Sequence, residues 1–228
     1  MRHKKYCGAI FDLDGTITDS QEGILDSLLY SLKKSDVHDV TREELKHYIG
    51  EPLKLIYSEI LKTDDSEKID FAIKKYREYF AKKGIKNNRV YPMMENILMD
   101  LSKNRSMVFL TTIKPRLYAK RILRMYGLID YFTDVFGSEM DGRNSTKKEL
   151  IGIALAKWSK KCEGELIMVG DRDSDIAGAK KHGLDSIGVR YGYSKRLEID
   201  KAKPTFIAST PNDLKRIFLE IGLTGRKK

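Results

Sequence analysis

Two stretches of this chain concentrate residue types that do chemistry. In Ala9-Ile10-Phe11-Asp12-Leu13-Asp14-Gly15-Thr16 an apolar run stops on two carboxylates and a glycine. In Leu166-Ile167-Met168-Val169-Gly170-Asp171 a second apolar run ends in an acid, and Arg172-Asp173-Ser174-Asp175 adds two more. An extended segment alternates its faces with period two, so Asp12 and Asp14 point the same way where the first run ends. Gly15 permits a tight exit, and Thr16 sets a hydroxyl and a backbone N–H beside the acids. Taken alone, DxDG also fits a strand followed by an ordinary acidic turn. Asp171, Asp173 and Asp175 repel one another unless a cation is present. A hard divalent ion such as Mg²⁺, with oxygen ligands, meets that need.

Two further places suit a phosphate. Met107-Val108-Phe109-Leu110 runs into Thr111-Thr112-Ile113-Lys114-Pro115 with the start of a helix behind it. A helix N-terminus offers a phosphate unpaired N–H groups and a favourable dipole. Two β-formers closing a strand explain the threonines as readily. Lys147 opens a helix after the Asp141-Gly142 turn, where the dipole disfavours a cation unless something compensates. A lysine beside the carboxylates would hold a transferring phosphoryl group and offset the charge of the acids, with Lys148 the competing residue.

In chain order these four stretches resemble the four motifs of the haloacid dehalogenase superfamily, and the likeness spans most of the chain. DLDGT resembles the first motif, TTIKP the second, the lysine after Asp141-Gly142 the third, and GDRxxDIxGA the fourth. The resemblance implies Asp12 as nucleophile and Asp14 as acid/base. It points to Thr112 rather than Thr111 as the phosphoryl-binding hydroxyl, and to Lys147 as the motif lysine. Ile113 occupies a position where many relatives carry Asn or Ser. The implied Mg²⁺ ligands are the Asp12 side chain, the Asp14 backbone carbonyl and Asp171, with Asp175 supporting from behind. Gly15, Thr16, Thr112, Ile113 and Lys147 are the implied substrate-binding residues. Asp173 is expected to cap its helix instead.

The segments DSQEGI, IGEPL and GVRYGY look like the phosphoglycolate-phosphatase-like branch, which carries a small helical cap. The implied reaction is hydrolysis of a small phosphorylated metabolite through an aspartyl-phosphate, in a monomer or homodimer. Dehalogenation has no need of Asp14. A phosphosugar mutase would use the same core. A phospho-acceptor receiver domain also combines acids, a Thr and a Lys, but in a shorter chain without a helical insertion.

The elements that must position these residues follow from periodicity. Ile24, Leu25, Leu28, Leu29 and Leu32 mark one helical face over 21–34. Thr41-Arg42-Glu43-Glu44 has the capping-box pattern of a second helix ending near Gly50, Pro52 starts a third, and Ser66 can cap a fourth. An all-helical block directly after an acid-bearing strand reads as an insertion, giving a cap over 19–85 and an α/β core over 1–18 and 86–228. From Pro92 onward the types alternate. Strands are expected over 107–112, 134–137, 165–170, 186–190 and 205–208, with helices between them. That order implies a Rossmann-like, mainly parallel sheet with helices on both faces. The acids then lie at the carboxyl ends of strands, where open α/β sheets bind ligands.

Composition narrows the class. At 228 residues the chain suits a core of about 150 residues with an insertion. The net charge is +10, but the lysines are scattered in pairs on faces that should be solvated, and only Arg226-Lys227-Lys228 forms a compact run. Neither a nucleic-acid nor a membrane partner is expected. Cys7 and Cys162 belong to no metal or redox motif, so no disulfide or zinc site is expected and the reducing cytoplasm fits. No apolar run approaches the roughly 18 residues of a spanning helix.

Overall fold

The computed structural model describes residues 5–225, and the basic run Arg226-Lys227-Lys228 lies outside them. The strands are β1 (Tyr6–Phe11), β2 (Thr18–Asp19), β3 (Arg89–Val90), β4 (Met107–Pro115), β5 (Asp134–Ser138), β6 (Glu165–Gly170), β7 (Asp185–Val189) and β8 (Phe206–Ala208). The helices are α1 (Gln21–Lys34), α2 (Arg42–Lys46), α3 (Leu53–Ile60), α4 (Ser66–Lys82), α5 (Met94–Lys103), α6 (Arg116–Met125), α7 (Lys147–Trp158), α8 (Asp173–Lys181), α9 (Glu198–Ala202) and α10 (Pro211–Glu220). The chain divides into two compact units, one of residues up to Asp19 and from Val90 on, the other Ser20–Arg89.

The first unit is a Rossmann-like α/β core. Its sheet has the order β5-β4-β1-β6-β7-β8, and every pairing in it is parallel. Both faces are covered. On one face Ile10, Phe109, Phe136 and Met168 pack with Leu150, Ile151 and Ala154 of α7 and Ala179 of α8. On the other, Phe11 meets Phe218 of α10 edge-on at 5.8 Å between ring centroids. Consecutive residues of β1 thus serve opposite faces, the reason its run is uninterruptedly apolar.

The regular elements of Ser20–Arg89 are helices, except that its last residue begins β3. Leu25, Leu28 and Leu32 of α1 are buried, on the face that period 3.6 marked, and so are Ile69, Ala72 and Phe80 of α4. The unit reaches beyond residue 85 because Asn87 Nδ2 donates to Asp26 Oδ2 at 3.0 Å and the Gly23 N–H donates to the Asn87 carbonyl, which tie the return segment to α1. The expected Thr41 box is present, with Glu44 Oε2 accepting from the Thr41 N–H at 2.8 Å. Asp65, not Ser66, caps α4, accepting from the Glu67 N–H at 3.0 Å, because the earlier of two adjacent cap formers already stands outside the helix.

One expectation fails outright. Cys7 and Cys162 form a disulfide with Cα atoms 5.9 Å apart. Cys7 lies on β1, and Cys162 just precedes β6, the parallel neighbour of β1, so 155 residues of separation vanish in space. The compositional argument for a reducing compartment thereby loses its premise. Among the described residues no helix is long and apolar enough to cross a membrane.

Candidate active site

All of the residues singled out for chemistry fall in the α/β unit, at one end of its sheet. Phe11 is level with Leu110 of β4 on one side and Val169 of β6 on the other. β1 and β6 end within one residue of that level while β4 runs on to Pro115, and Asp12, Thr111-Thr112 and Asp171 lie side by side within two residues of it. This is the carboxyl-end crevice of an open sheet.

Asp12 and Asp14 do not owe their placement to strand alternation, because β1 stops at Phe11. A tight loop does the work. The Leu13 carbonyl accepts the N–H groups of Thr16, Ile17 and Thr18, and Gly15 N–H donates to Thr18 O at 2.7 Å. Gly15 has φ +85°, and a Cβ there would run into the Asp171 carboxylate, so only glycine lets the loop pass.

Lys147 is the first residue of α7, which Thr146 and Glu149 cap reciprocally, the Thr146 hydroxyl donating to Glu149 Oε2 at 2.8 Å. Its ammonium lies 2.5 Å from Asp12 Oδ1 and 2.7 Å from Asp175 Oδ1, and donates to the Thr111 carbonyl at 2.9 Å. That ammonium is thus ion-paired with two carboxylates and hydrogen-bonded to one carbonyl, while Asp175 Oδ1 accepts no hydrogen bond. Burial works to lower the Lys147 pKa, but Asp12 and Asp175 outweigh it and the net shift is upward. These two acids are the compensation a cation at a helix N-terminus requires. Lys148 does not share them; its carbonyl meets a ring nitrogen of His182 at 2.8 Å.

Asp171 is fully buried at the end of β6. Its Oδ1 accepts from the Thr16 hydroxyl at 3.1 Å and its Oδ2 from the Tyr193 N–H at 2.7 Å. Asp175, in the first turn of α8, accepts the Arg172 N–H on Oδ2 at 3.1 Å. Asp173 does not cap α8: it is the first helical residue, Arg172 stands at the cap position, and the Asp173 N–H donates to Glu198 Oε1 at 3.0 Å. Thr111 turns its hydroxyl toward Met168 in the core, whereas the Thr112 hydroxyl oxygen accepts the Lys114 N–H at 3.2 Å and keeps its proton to donate. Ile113 is half-buried, and its carbonyl accepts from the Ser138 hydroxyl at 2.6 Å.

Sequence reading passed over two contributors. Lys114 is buried and places its ammonium 2.9 Å from Asp14 Oδ2. Gly192, in the loop after β7, lies so close to Gly15 O and Asp171 that a Cβ would clash with both. A glycine between two tyrosines was the one local hint of such close approach.

Oxygens of Asp12, Asp171 and Asp175 lie within 4.8 Å of one another. Asp12, Asp14, Asp171 and Asp175 face two ammonium groups, Lys114 and Lys147, so with all groups ionised four negative charges less two positive leave two negative charges. Burial, opposed by Lys147, pushes Asp12 from 3.8 up to about 7. Burial first, then the charges of Asp12 and Asp175, push Asp171 well above its ordinary value. Two ammonium groups do not offset four carboxylates, and one hard divalent cation would balance the count. The donor set therefore fits Mg²⁺.

The sequence matches the family model described as haloacid dehalogenase-like hydrolase over residues 9–189. It is 33% identical to a 5'-nucleotidase of Pseudomonas aeruginosa over 88% of this chain and 90% of that one. It is 32% identical to tyrosine-protein kinase PtkA of Mycobacterium tuberculosis over 90% and 70%, and 28% identical to a phosphoglycolate phosphatase of Vibrio parahaemolyticus over 90% and 92%. A predicted phosphatase of Clostridium acetobutylicum superposes with TM-score 0.87 at 37% identity, covering 95% of this chain and 99% of that one.

Proposed function

The chain belongs to the haloacid dehalogenase-like hydrolase family, and from that membership we propose that it is a Mg²⁺-dependent phosphatase of small phosphorylated metabolites. The observation that carries the reading is the buried Asp12 carboxylate, 2.5 Å from Lys147 and beside Asp171, with the Asp14 carboxylate two residues on. A nucleophilic carboxylate needs a neighbouring cation and a second acid to manage protons.

In the first step an Asp12 oxygen bonds to phosphorus, the ester P–O bond breaks, and Asp14 gives its proton to the departing oxygen. In the second, water bonds to phosphorus, its proton passes to Asp14, and the Asp12–phosphorus bond breaks, which regenerates both carboxyl groups. Thr112 donates its hydroxyl to a phosphoryl oxygen, and Lys147 supplies positive charge beside the nucleophile. The Asp12 side chain, the Asp14 backbone carbonyl and Asp171 would hold the metal, with Asp175 orienting Lys147 and the start of α8. The bound ion would neutralise phosphoryl charge and orient the group for in-line attack. Gly15 and Thr16 shape the loop the phosphoryl group enters.

The relatives named 5'-nucleotidase and phosphoglycolate phosphatase support small monoesters as the substrate class. Phosphate release over a panel of such esters, with Mg²⁺ and then with chelator, tests the reading. Asp12→Asn should abolish turnover. Asp14→Asn should still accept attack on an aryl phosphate, whose leaving group needs little protonation, and then stall. A burst of leaving group and a phosphoryl adduct on the Asp12 peptide are expected. A slow, Mg²⁺-competent variant with neither burst nor adduct would refute the covalent route. In the parent enzyme, continuous leaving-group release without inorganic phosphate would indicate transfer to an acceptor other than water.

A further inference from the structure

The Lys114–Asp14 ion pair is a second buried cation–carboxylate contact, separate from the one at Lys147. The two side chains are 7% and 14% exposed. We propose that Lys114 is the positioning residue of the acid/base: its ammonium holds one oxygen of Asp14 so that the other faces the ester oxygen and then the water. The inference rests on the phosphatase reading above.

Three observations carry it. First, Asp14 lies beyond the end of β1, in the loop that turns at Gly15, so no strand fixes its side chain. Second, the other carboxylates of the site have anchors of their own. Asp12 has Lys147, Asp171 has the Thr16 hydroxyl and the Tyr193 amide, and Asp175 has the Arg172 amide and Lys147. Lys147 is committed elsewhere, its ammonium ion-paired with Asp12 and Asp175 and donating to the Thr111 carbonyl. Third, the backbone is built to aim Lys114 inward. The β4–β5 register shifts between Thr112 and Pro115, a local irregularity of the kind that re-aims a side chain, and the Lys114 N–H is held by the Thr112 hydroxyl oxygen. The same irregular stretch carries both the phosphoryl-binding hydroxyl and the partner of the acid/base.

Proton transfer tolerates little misplacement, and a carboxylate about 1 Å out of position loses about 100-fold in rate. The test compares the parent, Lys114→Met, Asp14→Asn and the double variant, all with saturating Mg²⁺. The substrates are the alkyl phosphate that the parent turns over fastest and p-nitrophenyl phosphate. Lys114→Met should lower kcat on the alkyl ester about 100-fold with KM within about threefold, and should affect leaving-group release from the aryl ester far less. Lys114→Arg should recover part of the loss. Because Lys114 acts only through Asp14, the double variant should be no slower than Asp14→Asn alone. Losses that multiply in the double variant, or Lys114→Met within twofold of the parent, overturn the inference while leaving the phosphatase reading intact. Should Lys114→Met not fold, Lys114→Gln takes its place in the same cycle. A parent that releases phosphate from no ester refutes the phosphatase reading, and this inference with it.

Discussion

Replacing the proposed nucleophile should stabilise the metal-free protein. Burial raises the Asp12 carboxyl from 3.8 to about 7 despite Lys147. Between those values the folded protein keeps a proton that the unfolded chain has released, so stability falls as pH rises through the window. The penalty is absent below the unfolded value and complete above about 7. A shift of about three units at 1.36 kcal/mol each amounts to about 4 kcal/mol, an order of magnitude for a group with almost no solvent to screen it. Asn has the shape of the protonated acid and cannot ionise. Metal-free Asp12→Asn should therefore match the parent near pH 4 and exceed it at pH 8 by up to about 4 kcal/mol. It also relieves Asp171, which the Asp12 charge helps to raise.

The single tryptophan, Trp158, reports on the α/β unit, its indole N–H donating to Asp134 Oδ2 at 3.1 Å and its ring 5.7 Å from Phe109. Urea unfolding followed by its fluorescence, in chelator from pH 4 to pH 8, reads the difference. With slopes of about 1–3 kcal/mol per molar, the midpoints should separate by more than about 1 M at pH 8 and converge at pH 4. Saturating Mg²⁺ should raise the parent more than the variant. Equal midpoints at pH 8, or a gap that does not grow with pH, would show that Asp12 carries no net burial penalty.

Two other substitutions probe the same cluster. Gly192→Ala puts a Cβ 2.5 Å from Asp171 Oδ2 and hard against the Gly15 carbonyl, where backbone and a buried acid cannot both yield. It should cost about 1–3 kcal/mol of stability and weaken Mg²⁺ binding measured by calorimetry, whereas an unchanged Kd would show that the loop is free to move aside. Asp171→Ala should abolish Mg²⁺ binding and turnover together, while Asp173→Ala, whose side chain caps nothing, should leave both near the parent values. The reverse outcome would move the metal ligand to Asp173.

What the sequence determined is whatever one element decides alone. An apolar run that stops on an acid marks a buried strand and its end, so the ends of β1 and β6 were identifiable without neighbours. α1 has the bounds Gln21–Lys34 that its apolar spacing predicts, and the Thr41 box depends on residues three apart. Even there, local signals compete: Ser66 and Asp173 looked like caps, yet the residues before them took the position. Tertiary structure decided which charge meets which. That Lys114 serves Asp14 while Lys147 serves Asp12 and Asp175 follows from β1 lying between β4 and β6 and from a register shift in β4. The Tyr193 amide on Asp171 and the Cys7–Cys162 bond have the same origin. Periodicity reports the face of an element but not its neighbour, and a parallel sheet draws its neighbours from distant parts of the chain.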